Sequence, residues 1–333
     1  MDKKEKLNRI KGCLYGVAVG DAMGLPVEFQ NKESIQKEYG VIDKFIGGGT
    51  WGKDKGSVSD DTEMMLAVAT GIIHNPENPI GEIGKCFIDW YNEEPFDVGI
   101  CCSNVIGRVR NEMALHGYDE NDWHKCAKAY SEHGNSGGNG ALMRTAYVGC
   151  YYKDVVDVIY WAREICKMTH YDSVAALDCA IVSRIIHDLI DGGDEEIIKK
   201  HTLLNLYYGD RFKYFNVGEY DFDVKPNGYG VHSLMCALHS VLTTNSFKDA
   251  IIKAVNMGGD TDTIGAITGS IAGALYGYDG IPKEWAEGVE WRARGRIDTI
   301  LPYAYQQRCG GELFESADVS GRSEEIVSTG SKG

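Results

Sequence analysis

Carboxylates and hydroxyls recur together at two distant places in the chain, as Ser59-Asp60-Asp61-Thr62 and as Asp260-Thr261-Asp262-Thr263. Each phrase opens an apolar run with helical spacing: Met65, Val68, Ala69, Ile72 and Ile73 after the first, and Ile264, Ile267, Ile271 and Leu275 after the second. The phrases therefore fall where an N-cap and a first helical turn belong. Two chemistries fit. Ser, Thr and Asp accept hydrogen bonds from the free N–H groups of a helix start and favour its positive end. Alternatively, four carboxylates with hydroxyl oxygens, and no histidine or cysteine among them, suit a hard cation such as Mg²⁺ or Mn²⁺ better than zinc. Capping accounts for one or two such residues per helix. It accounts less well for paired carboxylates at two helix starts, which repel one another unless a cation lies between them. Spacing alone leaves both readings open, since nothing in it brings the two phrases together.

Other residues could bind an anion. The stretch GNSGGNG, residues 134–140, is rich in glycine, and successive exposed N–H groups there can form a concave anion nest. Composition alone favours a surface turn. His170 on its own reads as a structural hydrogen-bonder, and Glu28 as a solvated surface acid. Arg144, in ALMR, suits either a phosphate contact or a structural ion pair.

The elements that must position these groups are mainly helical. Residues 155–168 and 174–190 carry helical periodicity, the second run closed by Gly192 and Gly193. Period-two strands are scarce, and only residues 43–50 suit a short irregular one. Gly12, Gly16, Gly20 and Gly24 lie four apart, as do Gly265, Gly269, Gly273 and Gly277. On helices each set forms one smooth stripe. Glycine costs a helix roughly 1 kcal/mol per site relative to alanine, so the stripes point to backbones in unusually close contact. The expectation is an all-α domain over residues 6–314, followed by a polar tail over 315–333.

The charge balance narrows the ligands. Thirty-four basic residues against 49 acidic ones leave a net charge of −15. A broad nucleic-acid or anionic-membrane surface needs a basic face, so neither partner is expected. The start, MDKKEKLNRIKG, lacks the apolar core of a signal peptide. The uncharged run over residues 263–278 is shorter than the ~20 residues that span a bilayer. Ten cysteines occur without zinc-type spacing, as expected of reduced thiols in the cytoplasm.

Five segments in order resemble the ADP-ribosylglycohydrolase family: GCLYGVAVGDAMGLPVEF (12–29), SDDTEMM (59–65), SGGNGALMR (136–144), TH (169–170) and MGGDTDTIGAITGSIAGALYG (257–277). The resemblance implies an all-α orthogonal multi-helix bundle whose central cleft holds two Mg²⁺ or Mn²⁺ ions. It places Ser59, Asp60, Asp61, Asp260, Asp262 and Thr263 as metal ligands, Ser59 standing where the family often has threonine. Glu28 matches a glutamate near the metals that serves as ligand or gate. Ser136, Gly137, Gly138 and Asn139 match the loop that cradles the diphosphate of ADP-ribose, and His170 a histidine that helps hold it.

The phrase PFDVG, residues 95–99, resembles the D-[IV]-G segment of the arginine-specific members, which makes Asp97 the acid/base residue. The branch acting on serine-linked ADP-ribose and poly(ADP-ribose) relies more on the glutamate matching Glu28. Ile100-Cys101-Cys102 stand where small hydroxyl residues are common, and Tyr147 where a proline often follows ALMR; both bear on substrate fit. The implied activity is hydrolysis of the N-glycosidic bond between ADP-ribose and an arginine of a modified protein, by a monomer that releases ADP-ribose. Hydrolysis of O-linked ADP-ribose, or binding of ADP-ribose without catalysis, are the alternatives.

Overall fold

The two glycine stripes meet. In the computed structural model, which describes residues 1–133, 136–206 and 225–310 (side chains of 202–206 excepted), α1 (Lys3–Gly24) and α13 (Thr261–Tyr276) run antiparallel in contact along their length. Gly12 faces Gly273, Gly16 faces Gly269 and Gly20 faces Gly265; a Cβ added at Gly20 would lie 1.9 Å from the Gly265 carbonyl oxygen. No side chain fits such a gap, which explains why helices bearing so many glycines persist: the entropy lost is offset by backbone-to-backbone packing. The stripes differ from expectation at their ends. Gly24 meets Thr261 rather than a glycine, and Gly277 lies just past α13, with φ +73°, as its left-handed terminator.

Around this axis the described residues form an all-α bundle. Its further helices are α2 (Lys32–Glu38), α3 (Asp60–His74), α4 (Ile80–Asn92), α5 (Ile100–His116), α6 (Asn121–Ser131), α7 (Ala146–Tyr151), α8 (Val155–Lys167), α9 (Ser173–Ile190), α10 (Glu195–Leu206), α11 (Gly230–Leu242), α12 (Phe247–Val255), α14 (Lys283–Gly288) and α15 (Trp291–Cys309). Helices α9, α11 and α12 pack on α13, while α3, α7 and α15 pack on α1. The apolar faces of these helices form one main core. Residues 43–50 hold no strand; Gly48 makes a single bridge to Lys53, and Gly49–Trp51 is a short 3-10 turn. No described helix is long and apolar enough to cross a membrane. The segment expected to be a tail, 315–333, lies outside the described residues, as do residues 311–314 of the expected domain.

The antiparallel register of α1 and α13 has a consequence for chemistry. It puts the start of α13 beside the end of α1, where Thr261 Oγ1 donates to the Gly24 carbonyl at 2.8 Å. Helix α3 starts at the same place, because Asp21 of α1 accepts from the Ser59 and Thr62 backbone N–H groups at 3.0 and 3.1 Å. Two helix N-termini thus converge at one end of the glycine axis.

Candidate active site

The two acidic phrases meet at that end. Ser59 is the N-cap of α3 and Asp260 the N-cap of α13. Thr263 Oγ1 lies 3.3 Å from Asp61 Oδ2, and Ser59 Oγ lies 3.1 Å from the same oxygen. Carboxylate oxygens of Glu28, Asp260 and Asp262 lie within 4.8 Å of one another. All of these groups, except Ser59, line one cavity of about 550 Å³, together with Asp60, Asp97, Gly138, Asn139 and His170. A cavity of about 660 Å³ between α3, α4 and α15 contains none of the residues singled out from the sequence.

Capping explains only part of this arrangement. Ser59 does cap α3, accepting from the Asp61 N–H. Asp260 makes no cap bond with its side chain; its Oδ2 instead accepts from Asn139 Nδ2 at 2.8 Å. Asp61 Oδ1 is buried and has no hydrogen-bond partner. A buried carboxylate oxygen left bare is costly unless something positive completes it.

The electrostatics point the same way. Burial pushes the Asp60, Asp61 and Asp262 carboxyls well above the usual range, and the neighbouring carboxylates push them further. Glu28 is raised to about 8 by burial and then by Asp97, against the hydrogen bond from Trp51. Asp97 is raised to about 6 by burial and Asp260, against a backbone hydrogen bond from Val98. Clustered acids destabilised in this way are what a hard divalent cation relieves. Glu28, Asp260 and Asp262, with Asp61 and Thr263 at hydrogen-bond distance of each other on the same cavity, make an oxygen-only group of the kind that fits Mg²⁺ or Mn²⁺.

Next to the acidic cluster, joined to it by the Asn139–Asp260 hydrogen bond, the cavity is lined by a glycine loop and His170. The loop through Ser136–Gly140 is pinned against the start of α11: Gly230 N–H donates to Gly137 O at 2.9 Å, Asn139 N–H to Gly228 O at 3.0 Å, and Asn139 Nδ2 also to Ser233 Oγ at 2.9 Å. Ser136 Oγ is buried without a partner. Gly134 and Asn135, the start of the expected nest, lie outside the described residues. His170 is buried behind the loop, and a Cβ added at Gly138 would lie 3.2 Å from its Nε2.

A relay fixes the His170 ring. Arg144 donates through Nη2 to Thr169 Oγ1 at 2.7 Å, and Thr169 Oγ1 lies 2.8 Å from His170 Nδ1. The arrangement assigns the Thr169 proton to Nδ1 and leaves Nε2–H as a donor toward the loop. Burial, and then the Arg144 charge, lower the imidazole to about 3, so the ring is neutral at ordinary pH. Arg144 itself fits neither reading made from sequence. It contacts the Cys102 and Met64 sulfurs, the Gly140 carbonyl and the face of Phe87 rather than a carboxylate or the open cavity.

Sequence reasoning passed over two residues. Asp21 is fully buried and holds the start of α3 from the neighbouring helix; its one signal is a lone charge inside VAVGDAMG. Trp51 donates from Nε1 to Glu28 Oε2 at 2.5 Å, across a loop with no periodic signal. The glycines of MGGD also acquire a reason. Gly258 and Gly259 have φ +82° and +74°, and Gly259 pairs with Phe29 and Gln30 through 2.7 Å hydrogen bonds, seating the Glu28 turn beside α13.

An all-α chain whose central cleft sets carboxylates at two helix starts against a glycine-lined donor loop is a helical protein with the means to hold a cation beside an anionic ligand. The sequence pattern of one family, ADP-ribosylglycohydrolase, matches residues 2–313, and the chain belongs to that family. It is 31% identical over 302 residues to the ADP-ribosyl-[dinitrogen reductase] glycohydrolase of Rhodospirillum rubrum, covering 89% of this chain and 97% of that one. It is 29% identical to the ADP-ribosylarginine hydrolase Tri1 of Pseudomonas putida (strain GB-1), covering 94% and 80%. It is 25% identical to the ADP-ribosylhydrolase ARH3 of Mus musculus, covering 85% and 89%. A solved structure described as an ADP-ribosylglycohydrolase-related protein complex superimposes with a TM-score of 0.76 over 92% of this chain and 99% of that one; at 24% identity it supports the all-α fold.

Proposed function

We propose that this hydrolase removes ADP-ribose from arginine side chains of modified proteins. One observation carries the reading: carboxylates from two helix starts, one with a bare buried oxygen, share a cavity with Asp97 and a donor loop. The similarity to an ADP-ribosylarginine hydrolase supports arginine as the attachment point. So does Asp97-Val98-Gly99, with Asp97 at the cavity wall.

Two Mg²⁺ or Mn²⁺ ions held by Ser59, Asp60, Asp61, Asp260, Asp262 and Thr263 would supply Lewis acidity toward a ribose diol and toward water. The chain's own residues do the rest. Ser136, Gly137 and Gly138 of the loop and His170 Nε2–H donate to the diphosphate and set the ribose in register, while Asn139 braces the loop against Gly228, Ser233 and Asp260. Asp97, with its carboxyl near 6, exchanges a proton with the leaving guanidine nitrogen as the bond to the anomeric carbon breaks. Water contributes the oxygen at that carbon, as in other glycoside hydrolysis. Cations and N–H groups in the cleft reconcile a −15 protein with a diphosphate ligand.

The test is a panel of arginine-linked and serine-linked ADP-ribosyl peptides, with and without Mn²⁺, reading free ADP-ribose. Release from the serine-linked peptide alone overturns the arginine assignment. Asp97→Asn should lower turnover about 100-fold while leaving Mn²⁺ affinity native; native turnover in that variant removes Asp97 from the chemistry. A second reading, O-linked ADP-ribose, has one observation in its favour: Glu28, raised to about 8, is an alternative proton carrier in the same cavity.

A further inference from the structure

Glu28 is gripped from a loop that contributes nothing else to the cavity. Trp51 Nε1–H donates to Glu28 Oε2 at 2.5 Å, and the Thr50 hydroxyl donates to the Glu28 carbonyl at 2.7 Å. The turn Gly49–Trp51 sits directly on the turn Leu25–Val27 that delivers Glu28: Gly49 has φ +63°, and a Cβ there would fall 1.9 Å from the Pro26 carbonyl oxygen. The Trp51 ring meets Phe29 edge-on at 6.4 Å between centroids and Phe96 at 5.5 Å. Those are the neighbours of Glu28 and Asp97, so one indole touches both acidic walls of the cleft mouth.

The backbone on the other side of Glu28 is constrained as well. Phe29 has φ +64°, a left-handed conformation that an aromatic residue holds only when its surroundings impose it. Its N–H is tied to Gly259 O at 2.7 Å, next to Asp260. Among so many carboxylates, an untethered glutamate would swing out toward water to escape repulsion. A single strong donor, aimed at one of its two oxygens, prevents that and keeps the carboxylate against Asp260 and Asp262.

We propose that Trp51 is a positioning residue that fixes the Glu28 carboxylate beside Asp260 and Asp262 and ties it to the wall bearing Asp97. The proposal rests on Glu28 belonging to the cation-holding set. A residue acting on a metal site through a ligand typically changes affinity by about tenfold or more when lost. Trp51→Phe keeps the ring and removes the donor. Isothermal calorimetry should show Mn²⁺ affinity about tenfold weaker in Trp51→Phe, and no further loss when Trp51→Phe is added to Glu28→Ala.

Equal losses in the native and Glu28→Ala backgrounds would mean that Trp51 acts elsewhere, and would overturn the proposal. Native Mn²⁺ affinity in Glu28→Ala would overturn both the proposal and the reading of Glu28. A loss in Glu28→Ala with none in Trp51→Phe would overturn the Trp51 role alone. Should Trp51→Phe not fold, the unaltered side chain can be followed in the native protein by its indole N–H proton resonance. That resonance should move on addition of Mg²⁺ and stay fixed in Glu28→Ala; a resonance that ignores Mg²⁺ in the native protein sinks the proposal.

Discussion

The two ends of the cleft solve opposite electrostatic problems. At one end Asp60, Asp61, Asp260 and Asp262 crowd the starts of two helices, Glu28 stands beside them, and the dominant interactions on Asp61 are burial and repulsion. At the other end His170 is neutral, and the loop is pinned through the Gly137 carbonyl and the Asn139 N–H. The acidic end is incomplete without positive charge. The donor end needs no added charge; its one bare buried group among the described residues is the neutral Ser136 hydroxyl. An ADP-ribosyl ligand spans both kinds of chemistry, with a neutral diol that a cation can hold and a diphosphate that fixed donors can hold.

The comparison breaks most visibly if the acidic end is dispensable. Asp61→Ala and Asp262→Ala should each lower ADP-ribose release by at least about 100-fold and weaken Mn²⁺ binding at least tenfold. Calorimetry showing native Mn²⁺ affinity in both variants would refute the assignment of that end. Asp61 is the sharper probe, since its Oδ1 has no partner to lose.

A smaller effect is expected from the donor end, and on a different ligand. His170→Ala should weaken ADP-ribose binding about tenfold, the usual value of one hydrogen bond to a charged group, with Mn²⁺ affinity unchanged. Because the ring stays neutral down to about 3, the native protein's affinity for ADP-ribose should show no inflection from His170 between pH 5 and 8. A fall in Mn²⁺ affinity in His170→Ala would show that the ends are not separable.

The sequence discloses these two ends unequally. The acidic end was legible because carboxylates at a helix start have two readings only, and the recurrence of the phrase weighed against capping. Their meeting in space was not legible. It follows from the register of the glycine seam, which sets the start of α13 against the end of α1, and no local pattern encodes which stripe faces which. Asp21 was hidden for the same reason: its partners lie on another helix. Trp51 was hidden because the loop around it has no period, and a tryptophan there is silent until Glu28 is placed beside it. Arg144 misled in a different way, since a buried arginine can turn its Nη groups to a carbonyl, a hydroxyl and sulfurs and lay its plane on a ring face without any anion.

The mildest test concerns proton linkage at the acidic end. A carboxyl whose folded-state pKa is raised favours the folded chain at low pH, and that contribution disappears as pH climbs through the raised value. Asp97 at about 6 and Glu28 at about 8 place the loss between about pH 4 and 8, and Asp60, Asp61 and Asp262 shift in the same direction. Asp188 behaves oppositely. Burial raises it, but hydrogen bonds from His187, His201 and Arg184 outweigh that and hold it low, so its contribution is lost only in acid, below this window. Cations bind the deprotonated carboxylates and remove their repulsion, so they restore most where most has been lost. The rise in melting temperature produced by a fixed excess of Mn²⁺ should therefore be a few degrees larger at pH 8 than at pH 5.5. Scanning fluorimetry at the two pH values measures it. An equal rise at both would mean that Mn²⁺ binding is not linked to deprotonation of these carboxylates, and the contrast between the two ends would lose its physical basis.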